Sequence, residues 1–78
     1  MRKPQLLDVI RLTSPVPEHG LSGGEIGTIV EEFDAPDEAY EVEFADDYGE
    51  TIAMFSLTPA QFEVVVPWEL TAPQPSLT

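Results

Sequence analysis

The chain has 78 residues, 42% of them apolar, no cysteine, and three Lys/Arg against fifteen Asp/Glu, a formal net charge of −12. That length permits one domain and the apolar fraction is too high for a disordered chain. The missing cysteines exclude a disulfide framework, a thiolate nucleophile and a Cys-based zinc site.

Charge narrows the function classes further. Arg2, Lys3 and Arg11 are the basic residues, so everything from Leu12 onward carries acidic formal charge alone. Nucleic-acid binding draws on Lys and Arg to neutralise phosphates, so this surface is expected to repel DNA, RNA and anionic lipid and to steer towards a basic protein. The competing reading is that net charge only maintains solubility. Met1-Arg2-Lys3-Pro4 imitates the basic start of a signal peptide, but Asp8 and Arg11 interrupt the apolar run behind it. No segment approaches the roughly 18 consecutive apolar residues of a membrane helix, and the expected compartment is the cytoplasm.

In chain order, residues 6–13 read as a first strand, with Ile10 and Leu12 facing the core. Residues 14–24 hold two prolines and three glycines, which predicts a long loop without regular structure. A second strand is predicted over 25–33, with Ile26, Thr28 and Val30 on one face and Ile29 and Phe33 on the other. Apolar residues on both faces imply a bent strand, with Gly27 permitting the bend. Asp34-Ala35-Pro36-Asp37-Glu38 is a turn. The third strand, 40–45, alternates most clearly: Tyr40, Val42 and Phe44 point inward, Glu41 and Glu43 outward.

A hairpin loop follows at 46–50, where Gly49 suits a positive φ. The fourth strand is predicted over 51–55. Thr58-Pro59-Ala60-Gln61 has a threonine cap, a proline at the first helical position and a glutamine at the third, which predicts one helical turn. A fifth strand resumes at 62–66 and Pro67 stops it. The expected organisation is therefore one domain over 1–66 and a Pro-rich tail over 67–78. The expected class is all-β: a small five-stranded SH3-like barrel with a long loop after strand one and one helical turn before the last strand. Amphipathic helices of useful length are absent from the pattern, which excludes helical bundles and layered α/β folds.

No catalytic constellation emerges. His19 is the only histidine and lies in the Pro/Gly loop beside Glu18, with Ser14 and Ser22 near in sequence and nothing to form an oxyanion hole. A role in holding the loop is favoured over one as a base. Glu31/Glu32, Asp37/Glu38 and Asp46/Asp47/Glu50 sit in or near turns, where solvated carboxylates are ordinary, and the 46–50 spacing lacks the ligand pattern of a calcium loop. The glycines of 20–24 lack the following lysine and helix of a phosphate cradle. Neither catalytic residues, metal nor cofactor is expected. Exposed aromatics are the better lead, since such residues mark binding hot spots: Tyr48 at a hairpin tip, Phe55, and Trp68 after the last strand.

Read in order, Asp8-Val9-Ile10-Arg11-Leu12, Pro17-Glu18-His19-Gly20-Leu21, Gly24-Glu25-Ile26-Gly27-Thr28-Ile29-Val30 and Tyr40-Glu41-Val42-Glu43-Phe44 resemble an uncharacterised family of small bacterial proteins, a domain of unknown function, over residues 6–65. The resemblance implies an SH3-like barrel and hints at an antitoxin or immunity role. A fainter similarity is to the SH3-like domain of the nitrile hydratase β subunit, which shares the Gly-x-x-Gly and Tyr-x-Val-x-Phe strands and speaks for fold. Gly24-x-x-Gly27-Thr28-Ile29-Val30 also resembles the KOW motif of ribosomal and transcription proteins, whose basic surface this chain lacks.

The resulting expectation is a non-enzymatic acidic module that binds a basic protein, such as a toxin-like effector, and neutralises it. Glu31, Glu32, Glu41, Glu43, Asp46, Asp47, Tyr48 and Trp68 are the expected contact residues. The alternative is an accessory subunit of a bacterial enzyme, in the manner of the nitrile hydratase barrel. Homo-oligomerisation is compatible with either.

Overall fold

A computed structural model of the chain describes residues 3–65. The expected tail, with Trp68, lies outside the described residues. Five antiparallel strands form a single sheet: β1 (Val9–Leu12), β2 (Ile26–Phe33), β3 (Ala39–Ala45), β4 (Thr51–Leu57) and β5 (Phe62–Val64). Their order across the sheet is β4-β3-β2-β1-β5, so the first strand pairs with both the second and the last. The class is all-β, with a long loop after β1 and a helical turn before β5, as the turn residues and alternation predict. Among the described residues no ladder joins β4 to β5.

The inner face of the sheet is built in rows. Val64, Ile10, Gly27, Phe44 and Ala53 are register partners across all five strands, and Ile29, Val42 and Phe55 form the next row. Ile10, Leu12, Tyr40, Val42 and Phe44 are buried, as the alternation of the first and third strands requires. Gly27 stands where the Phe44 ring and the Val42 methyl cover the backbone. A Cβ there would lie 2.7 Å from Val42 Cγ1 and 2.8 Å from Phe44 Cε1.

Two local expectations are corrected. In β2 the inward residues are Gly27 and Ile29, while Ile26 and Thr28 face out, so Ile26 and Thr28 do share a face but Phe33 is not paired with Ile29 against the core. The reason is a bulge: Ile29 pairs with Val42 and Glu31 with Glu41, leaving Val30 as the extra residue. The irregularity lies at Val30 rather than at Gly27. The loop of 14–24 also carries structure, a 3-10 turn at Pro17–His19 closed by a Val16–Leu21 bridge. Pro17 starts the turn, and Gly20, with φ 73°, ends it in the left-handed region. Val16 and Leu21 are buried, so this bridge lays the loop onto the core.

Glu25 completes that loop. Its carboxylate accepts the Ser22 N–H at 3.0 Å, the Gly23 N–H at 2.8 Å and the Ser22 hydroxyl at 3.3 Å. The Ser22 amide above all holds the Glu25 carboxyl below its ordinary range. Before β5, Pro59–Gln61 forms the expected turn with a capping box. There Gln61 Oε1 accepts the Thr58 N–H at 2.9 Å, and the Gln61 N–H donates to the Thr58 carbonyl at 3.0 Å.

Candidate interaction surface

Period-two alternation sends every second side chain of β2, β3 and β4 outward. The outer face of these strands is acidic in the middle. Glu31 lies directly opposite Glu41, which lies opposite Ser56; the next row runs Thr28, Glu43, Met54. Glu41 and Glu43 are half-buried rather than fully exposed, because each reaches sideways to a hydroxyl of β4. Glu41 Oε1 accepts from Ser56 Oγ at 2.9 Å, and Glu43 accepts from Thr51. Those bonds orient both carboxylates towards β4.

Apolar side chains border this acidic centre. Ile26 (42% exposed), Ile52 (57%) and Met54 (53%) lie on or beside the same face. Singly, exposed apolar residues are ordinary on protein surfaces. Together with the carboxylates between them, they form one mixed acidic and apolar face. Ile52 and Met54 were not expected there, since outward apolar residues in β4 are legible only once the register with β3 is known.

The other expected contact residues divide. Glu32 does not join Glu31 on this face: it pairs with Tyr40, and its Oε2 accepts the Leu6 N–H at 2.6 Å, tying the segment before β1 to the sheet. Asp46 Oδ1 accepts the N–H groups of Tyr48 (2.8 Å) and Glu50 (3.0 Å), so it builds the β3–β4 turn. Asp47 is exposed, and Tyr48 is 91% exposed at that turn's tip. Phe55, expected as an exposed aromatic, is instead partly buried against the core. It turns inward and stacks on His19, centroids 3.9 Å apart and planes 1° from parallel, with Phe44 5.5 Å away on its inner side. His19 thus packs the long loop over the core, the role favoured for it on sequence grounds.

At the opposite end of the β2–β3 hairpin, burial above all pushes the Tyr40 phenol up to about 12, reinforced by its hydrogen bond to Glu38 and the charges of Glu38, Glu32 and Asp34. An unfolded tyrosine ionises near 10, so between about pH 10 and 12 the folded chain keeps a proton that the unfolded chain has lost. Stability should therefore fall as pH rises through that window. Denaturation midpoints measured from pH 9 to 12 check this: Tyr40→Phe should flatten the alkaline fall, and parallel curves would assign the loss to other groups.

Among the described residues no group of three or more His, Asp or Glu is arranged to hold a metal ion, and no helix is long and apolar enough to cross a membrane. The fold and face define a small all-β domain that presents carboxylates from neighbouring strands. The chain matches the family model described as Domain of unknown function (DUF4926) over residues 6–64, and it belongs to that family. No curated protein and no solved structure matches it significantly.

Proposed function

We propose that this domain is a non-enzymatic, SH3-like protein-binding module that docks a basic protein on the outer face of β2, β3 and β4. The observation that carries the reading is the row Glu31–Glu41–Ser56 beside Thr28–Glu43–Met54. Like charges directly opposite across a ladder destabilise a sheet by a few tenths of a kcal/mol or more. A partner that supplies Lys or Arg relieves that repulsion, adds attraction, and covers Met54, Ile52 and Ile26 in the same step. The acidic charge accelerates encounter and the apolar border slows departure. Acting on a toxin-like effector, such a face neutralises by occlusion or by imitating a phosphate backbone, the antitoxin or immunity role that a bacterial, cytoplasmic member of this family would fill. An accessory subunit of a bacterial enzyme would use the same face against a metabolic partner.

Parallel affinity captures from the native host, with the wild-type chain and the Glu41→Gln/Glu43→Gln variant as baits, identify the partner. Association rates of the captured protein across a salt series then test the mechanism. The double variant should associate about tenfold more slowly at low salt and show a flatter salt dependence, with the two curves meeting at high salt. Overlapping curves throughout would return the acidic surface to a solubilising role.

A further inference from the structure

The outer face ends, beyond Glu41 and Ser56, in a surface groove of about 460 Å³ lined by Phe33, Ala35, Pro36, Asp37, Glu38, Ala39, Ser56 and Thr58. Its walls are mainly apolar, and Phe33 leaves part of its ring open to solvent. The polar groups around it share one property. Ser56 Oγ gives its proton to Glu41, and Thr58 Oγ1 gives its proton to Gln61. Glu38 receives the Tyr40 phenol on Oε2, which fixes its carboxylate and leaves Oε1 for another donor. Asp37 contributes a further carboxylate. Every polar side chain lining the groove is therefore an acceptor, two of them charged.

A site that offers acceptors alone, on apolar walls beside an open aromatic ring, selects a ligand that is all donors, cationic and carried on an apolar stem. Guanidinium meets each demand: five N–H donors and no acceptor, a planar face that stacks on an aromatic ring, and weak hydration. An ammonium shares the charge and the donors but is a compact, strongly hydrated point charge that gains less from the Phe33 ring. The geometry points to this groove as the receptor for an arginine side chain of the basic partner, with the guanidinium between Asp37 and Glu38 and its stem along Phe33, Pro36 and Ala39. The inference rests on the basic-partner reading for the source of that arginine, though the groove itself is testable without any partner.

The probes are Nα-acetyl-arginine amide, its citrulline counterpart of the same shape but neutral, and the lysine counterpart, each titrated into the ¹⁵N-labelled chain at low salt. The arginine probe should shift the amides of Phe33, Ala39, Ser56 and Thr58 in a saturable way. Citrulline should bind at least tenfold more weakly, and lysine severalfold more weakly. Phe33→Ala and Asp37→Asn should each weaken the arginine probe about fivefold, whereas Glu18→Gln, exposed on the loop after β1 and outside both the groove and the acidic face, should leave it unchanged. Shifts spread over acidic residues of all strands, equal for arginine and lysine and insensitive to Phe33→Ala, would overturn the site. So would an absence of shifts at the four named amides. Because no partner enters this experiment, a null result in the Glu41/Glu43 salt series leaves it standing, and failure here leaves the acidic face standing.

Discussion

Phe44→Ala should destabilise the domain by about 3–5 kcal/mol and leave it largely unfolded at 37 °C. Phe44 is 1% exposed, sits in the middle row of the sheet between Gly27 and Ala53, and carries the stack that continues through Phe55 to His19. Truncation removes the ring that covers Gly27 and opens a cavity that a row of glycine and alanine has no side chains to fill. A single domain of this length has on the order of 4–12 kcal/mol of stability in all, so one such cavity removes a large share of it. Phe44→Leu, which keeps an apolar side chain in place, should be far milder and retain the fold. Chemical denaturation of both variants beside Met54→Ala, on the outer face, provides the check. A midpoint for Phe44→Ala no lower than that of Met54→Ala would contradict the placement of the core.

Gly27→Ala should cost about 2 kcal/mol, an unusual loss for the addition of one methyl group. Gly27 does not adopt a positive φ, so its backbone tolerates an L side chain and the cost is purely steric. The new Cβ would sit 2.7–2.9 Å from Val42 Cγ1 and from two atoms of the Phe44 ring. Forcing those groups aside costs typically 1–3 kcal/mol, and the lower conformational entropy of the unfolded alanine chain offsets up to about 1 kcal/mol of it. If the clash with Phe44 is the cause, Gly27→Ala and Phe44→Leu should not be additive: the double variant should lose less than the two single losses combined. Additive losses would place the strain elsewhere in the row.

Gly27 and Phe44 define the inner row, and the residues on either side of Phe44 along β3 are Glu43 and the exposed Ala45. The Phe44 ring beneath the sheet is thus attached to the same backbone that carries Glu43 above it. Variants that shift the Phe44 ring should perturb the acidic face even when the fold survives, whereas Glu41→Gln and Glu43→Gln act on charge with the core intact.

Much of this architecture was legible in the chain itself. Tyr40-x-Val42-x-Phe44 alternates with Glu41 and Glu43, and a period of two has one solution when one face is apolar and the other charged. Gly49 in the 46–50 turn and the Thr58–Gln61 capping box are local signals, set by residues within four positions of one another, and they required no knowledge of the rest of the chain. The absence of any Lys or Arg after Arg11 likewise defines the sign of the formal charge over the rest of the chain.

Tertiary structure alone decided the rest. The bulge at Val30 reverses the alternation part-way along β2: apolar residues on both faces signal an irregular strand, but only the register with β3 places the extra residue at Val30 rather than at Gly27. Partition of the carboxylates was equally hidden: Glu31 and Glu32 are neighbours in sequence, yet one faces Glu41 and the other binds the Leu6 amide. Phe55 and His19, 36 positions apart in the sequence, meet only because the loop after β1 folds back over the sheet. The groove of acceptors arises in the same way, from a turn, a strand end and a cap whose hydroxyl protons are spent on Glu41 and Gln61. Charge and periodicity are properties of the chain, but which carboxylates stand together depends on strand register, and register is set by long-range packing.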